Sequence, residues 1–269
     1  MFRISLAVAI MVTTAVAVGA CSGSDQKEAT PTNTAPSATA AISAATPAGP
    51  TTATTPRATL PPTTPGADFD DARATALVNA VVLLPDDLDV IAPWKIQSDT
   101  TADNAAFAAA QPEQAGDVEA CGRLVGRTVT LQPEDIINAF IGGQTLTFFS
   151  LVTIYKNPEG ATTCANLAAQ RLAAPGALAG QFGGVFIDPA AVVVTPVDFA
   201  AVGEGSFAGT LTGQTNAQGT VVDITILVVA FKSGSATVAV GSVRAGATPP
   251  QDELKPYVDL VLQRLEANQ

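Results

Sequence analysis

Three cysteines, no histidine and twenty-four carboxylates define the chemistry open to this 269-residue chain. Without histidine, neither a Ser-His-Asp nor a Cys-His nucleophile can be assembled. The commonest metal ligand is missing as well. Carboxylates alone suffice for glycoside hydrolysis when two face each other at roughly 5–10 Å, but no pair of acids stands out by its spacing. The cluster Asp86-Asp87-Leu88-Asp89 is dense enough in carboxylates to suggest calcium. It lacks the EF-hand glycine, and Gln97 stands where the bidentate Glu belongs, so a turn or helix cap is expected. Gly203–Ala208, "GEGSFA", has dinucleotide-loop spacing, but "GTLTG" follows it in place of the required helix. Lys232-Ser233-Gly234 has the outline of a Lys-Thr-Gly triplet without any Ser-x-x-Lys in the folded part, and reads as a hairpin turn. No catalytic residue, metal site or cofactor is expected, and the chain reads as a non-enzyme with a carboxylate-only hydrolase left open.

The first cysteine has a definite context. Arg3 supplies a positive n-region, and Ile4–Ala20 is apolar apart from Ser5, Thr13 and Thr14. That length suits a signal-peptide h-region and lies at the short edge of a membrane span. Small residues then lead into Val18-Gly19-Ala20-Cys21, which resembles the lipobox of bacterial lipoproteins. The resemblance implies cleavage before Cys21, a diacylglycerol thioether on its sulfur and acylation of the new amino terminus. Two or more chains anchor a protein stably where one does not.

Residues 1–20 are therefore expected to be a signal peptide and residues 21–67 a lipidated tether. The tether is almost entirely Thr, Ala, Pro, Ser and Gly. It has too little apolar surface to offset its conformational entropy and is expected to be disordered. Extended at roughly 3.1 Å per residue, it could reach about 140 Å.

Residues 68–269 suit one extracytoplasmic domain. They carry ten Lys/Arg against twenty-two Asp/Glu, a net charge of −12. Such a surface is a poor match for nucleic acid, whose affinity comes largely from phosphate neutralisation, and for anionic headgroups. The two cysteines here, Cys121 and Cys164, form an even pair in an exported chain and suggest a disulfide. Two free thiols or a metal pair are the alternatives, the latter disfavoured because two cysteines do not complete a four-ligand site.

The pattern of elements predicts an α+β fold, an antiparallel sheet with helices packed on it. Asp70–Leu84 reads as a helix ending before Pro85, with Ala76, Leu77 and Ala80 on one face. Pro93–Gln97 reads as a short strand with the single tryptophan, more core than sugar platform, and Gly126–Leu131 as a second strand. A short helix is expected with Pro133 at its first position, followed by a long strand over Gln144–Asn157. Asn157 and Pro158 then open another helix, whose inner face carries Cys164. Ala174–Phe186 is Gly-rich and reads as a surface loop. Strands follow near Val192–Val197 and at "GSFAGTL", then a polar loop "TGQTNAQG". "TVVDITILVVAFKSGSATVAVGSV" reads as two strands about Ser233-Gly234, the first covered on both faces. A terminal helix is expected, capped by Thr248 and Gln251 with Pro249 at its first position. Its apolar stripe is Leu254, Tyr257, Val258, Val261, Leu262 and Leu265.

An early "LLPDDL" followed by Trp94, then "LVTIYKNPEGATTCANL", "GEGSFAG", "VVAFKSGSATVAV" and a terminal amphipathic helix recur in one order. This order resembles bacterial extracytoplasmic domains: lipoproteins related to LpqN, whose fold is Mog1/PsbP-like, and sensor domains of actinobacterial kinases. The resemblance covers residues 75–267 and implies an α-β sandwich with a binding or sensing role. It supplies no ligand-binding residues. Three readings follow: a tethered binding or sensing module, a carrier of lipid or another hydrophobic ligand, and a carboxylate-only hydrolase. The expected partners are the cell membrane through Cys21 and either an envelope protein or a small hydrophobic ligand, with no nucleic acid.

Overall fold

β-branched and aromatic runs alternate along the chain with short Ala-rich segments, and the elements fall accordingly. Seven strands, Trp94–Asp103 (β1), Arg123–Pro133 (β2), Thr145–Tyr155 (β3), Val193–Pro196 (β4), Glu204–Ala217 (β5), Thr220–Ser233 (β6) and Ala236–Ala245 (β7), form one sheet in the order β1-β2-β3-β7-β6-β5-β4. Every neighbouring pair is antiparallel. The helices are Asp71–Val81 (α1), Asn104–Ala110 (α2), Ala115–Ala120 (α3), Ile136–Ile141 (α4), Pro158–Leu172 (α5) and Gln251–Asn268 (α6). The structure, a computed structural model, describes residues 68–88, 93–110, 115–172, 182, 185–217 and 220–269. The expected signal peptide, Cys21 and the tether lie outside these residues, as does most of the Gly-rich segment. The fold is the α+β architecture expected from the sequence.

The sheet is covered on both sides, and β6 shows how. Its residues Ile224–Phe231 are all buried. Because side chains alternate across a strand, Leu227, Val229 and Phe231 join one core and Ile224, Ile226, Val228 and Ala230 another. On the first face, α1 and α6 supply Ala74, Leu77, Val78, Val81, Leu254, Val258, Val261 and Leu265. The stripe read from sequence for α6 packs here, although Leu262 is only partly buried. On the second face, Phe182 and Phe186 close over Phe149, Leu151 and Leu211. The segment expected to be a surface loop thus contributes two core aromatics.

Several boundaries differ from expectation. Pro133 does not start a helix. It is the last residue of β2, paired with Trp94, and α4 begins at Ile136 with the Asp135 carboxylate accepting from Asn138 N at 3.0 Å. β1 runs on to Asp103 because β2 is longer than expected and offers it a ladder. The "TGQTNAQG" segment is strand as far as Ala217, held by pairing from Thr212↔Thr225 to Ala217↔Thr220. α6 starts at Gln251 without a side-chain cap: Pro250 is extended, and Pro249 precedes a proline, which disfavours helical backbone there. The Ser233-Gly234 turn is as expected, with Gly234 at φ 52°, a conformation natural to glycine.

Candidate functional site

The antiparallel register defines two ends of the sheet. At the near end lie Arg123, Tyr155, Ser233 and Ala236. Phe69 donates its N–H to the Lys156 carbonyl here at 2.8 Å, so the first described residues pack at this end. Asn157 caps α5 through Gly160 N at 2.9 Å, placing Cys164 two turns in. Cys121 follows α3, and the two cysteines form a disulfide with Cα atoms 5.3 Å apart. Around it pack Tyr155, Ala161 and Leu167.

Beside the disulfide, Arg123 is nearly enclosed. Its guanidinium donates to the Asn104 side-chain oxygen at 3.2 Å and the Ala102 carbonyl at 3.1 Å, and lies 4.4 Å from the Phe107 ring. Burial lowers its pKa to about 10, with the Tyr155 and Asp103 oxygens opposing that fall. It stays cationic at neutral pH and ties β1 and α2 to β2. Burial pushes the Tyr155 phenol up, against the Thr237 contact at 3.2 Å.

The far end holds Trp94, Pro133, Thr145 and Arg244. The Phe148 ring sits between Trp94 at 5.1 Å and Tyr257 at 5.0 Å. Trp94 is therefore largely core, and among the described residues its buried indole nitrogen has no hydrogen-bond partner, nor has the buried Ser242 hydroxyl across from Phe148. Tyr257 also borders an open surface depression of about 580 Å³, lined by Asp87, Pro256, Tyr257, Asp259, Leu260 and Gln263. Arg264 grips both oxygens of the Asp87 carboxylate, one at 2.9 Å, and Asp87 also accepts from Leu84 N at 2.8 Å. Asp87 of the acidic cluster thus serves as a turn cap and an ion-pair partner, and Asp89 lies outside the described residues.

The other motifs resolve as structure. Gly203–Ala208 is the turn residue Gly203 and the start of β5 itself, and Glu204 pairs with Lys232 of β6 at 2.7 Å. Lys232-Ser233-Gly234 is the hairpin. Among the described residues no three metal-ligating side chains converge, and no helix is long and apolar enough to cross a membrane. Sequence reasoning missed the exposed face of α4, where Ile136, Phe140 and Ile141 stand 42%, 40% and 76% exposed. It also missed the Arg127–Asp99 pair on β2 and β1, bonded at 2.9 and 2.7 Å.

That pair makes stability respond to acid. The bonds from Arg127 hold the Asp99 carboxyl below its ordinary range, against a smaller opposing effect of burial. Its contribution is therefore complete above the unfolded-state pKa of about 3.9 and disappears as pH falls through the lower folded value. In acid titrations followed by circular dichroism, Asp99→Asn should unfold less steeply below about pH 4 than the parent.

No protein-family model and no curated protein matches the chain. Among solved structures, the extracellular domain of PknH from Mycobacterium tuberculosis is similar at a TM-score of 0.38 and 8% identity, covering 75% of this chain and 98% of that one. A likeness of that size assigns neither family nor activity.

Proposed function

We propose that the chain is a membrane-anchored bacterial lipoprotein whose 68–269 domain is a non-enzymatic binding or sensing module on the extracytoplasmic face. The lipobox-like Val18–Cys21 supports the anchor. The Cys121–Cys164 disulfide supports an oxidising compartment.

One observation carries binding over catalysis: the carboxylates with assigned partners are committed to holding the fold. Asp70 and Asp135 cap helices, Asp87 and Asp99 are gripped by arginines, and Glu253 holds Arg244 at 2.5 Å. Asp87 also borders an open surface depression edged by Tyr257 and Leu260. The carrier reading requires an apolar chamber between helices and sheet. Phe148, Val152, Leu227, Val229 and Phe231, all at 0–1% exposure, fill the first face.

Native mass spectrometry of the full-length protein extracted from its own membrane tests this reading. The expected spectrum contains the protein with its covalent acyl chains and no further lipid. A non-covalent lipid at one-to-one stoichiometry would establish the carrier instead.

A further inference from the structure

The short helix α4 leaves three apolar side chains facing outward. Ala139 is buried at 3%, while Ile136 and Phe140, one turn apart, and Ile141 face outward. Leaving such side chains partly in water is unfavourable unless something covers them. Exposed apolar groups rimmed by polar residues mark interaction sites.

The setting narrows what that is. Glu134 and Asp135, immediately before the helix, are exposed, as is Asp252 at the same end of the sheet. Arg244 there is held by Glu253 and Lys255, one turn into α6, by Asp259, while Lys95 lies cross-strand from Gln132. The rim is acidic, and a second copy would bring acid against acid. A membrane is disfavoured because its anionic headgroups repel the rim.

The geometry points to α4 as the anchor of a docking surface for a basic protein partner. Ile136, Phe140 and Ile141 insert into the partner's apolar patch, and Glu134 and Asp135 meet flanking lysines or arginines. This names the partner class within the binding reading above and rests on it. Apolar anchors at the centre with charges at the rim give affinity and steering respectively.

The test uses full-length chain in a Cys21→Ser background, so that its outcome is independent of anchoring. The probes are two synthetic amphipathic helices, one built of Leu and Lys and one of Leu and Glu, with binding measured by titration calorimetry. The Leu/Lys helix should bind and the Leu/Glu helix should not. Ile141→Ser and Phe140→Ser should each weaken binding about tenfold. Glu134→Gln with Asp135→Asn, which keeps an N-cap residue, should weaken it and flatten its salt dependence. Equal affinity in parent and serine variants would overturn the proposal. So would serine-sensitive dimerisation in sedimentation, or serine-sensitive flotation with phosphatidylglycerol vesicles, which would assign the surface to a second copy or to the membrane.

Discussion

Replacing Cys164 with serine should lower the unfolding free energy by about 4 kcal/mol, the chain-entropy value for a loop of this length. The bond joins residues 43 apart and encloses β2, α4 and β3, so its loss frees the unfolded chain over three elements. The folded side adds to this. Cys121 is 1% exposed and packs with Tyr155 and Ala161. α5 lies so close that a Cβ added at Gly160 would collide with the Cys121 carbonyl oxygen. A serine hydroxyl here would be half-buried beside apolar neighbours. For a domain of about 200 residues each kcal/mol moves Tm by roughly 2–4 °C, so a fall of about 10 °C is expected. Reduction of the parent should reproduce it, and the double serine variant should lose little more than either single one, because each alone already breaks the bond. A fall of under about 2 °C would mean that the crosslink hardly restricts the unfolded chain.

Phe148→Ala should cost about 3–5 kcal/mol, the usual range for a buried phenylalanine. Phe148 is fully buried at the centre of the first-face core, and its ring meets Trp94 at an interplanar angle of 57° and Tyr257 at 67°. Truncation would remove the ring that Trp94 and Tyr257 both pack against. The chain has one tryptophan, so its emission reports the change directly. In the alanine variant the spectrum should shift red while the protein is still folded, and Phe148→Leu should restore most of the stability. A variant with unchanged emission would place Trp94 elsewhere.

The elements legible in the sequence are those fixed by local chemistry. Asn157 and Pro158 start α5 because an Asx cap and a preset φ act within one turn. Ser233-Gly234 makes the hairpin for a similar reason, and the α6 stripe reads at its helical period. What was not legible depends on distant partners. Pro133 has the same local meaning at a helix start as at a strand end, and only the register with Trp94 decides between them. Thr212–Ala217 is polar enough for a loop and becomes strand because Thr220–Thr225 lies opposite. Phe182 sits among glycines and alanines that signal a loop, while Phe149 lies across from it at 6.0 Å.

The candidate site follows the same division. Cys121 and Cys164 could be paired by counting, and the Asp86–Asp89 cluster could be read as a cap. The aromatic group of Trp94, Phe148 and Tyr257 joins residues from three separate elements and has no spacing to betray it. The outward face of α4 was hidden differently: Ile136 and Phe140 at i, i+4 have the pattern of a buried stripe. Only the position of Ala139 against the sheet shows which side is covered.

The central claim is that this domain works from a lipid leash at Cys21, and the intact mass of the mature protein from its native membrane tests it most directly. The account expects a chain beginning at Cys21 that is heavier than its sequence by a diacylglycerol and an amide-linked acyl group, with both lost in Cys21→Ser. A mature chain that starts at another residue, or carries no added lipid, would contradict it.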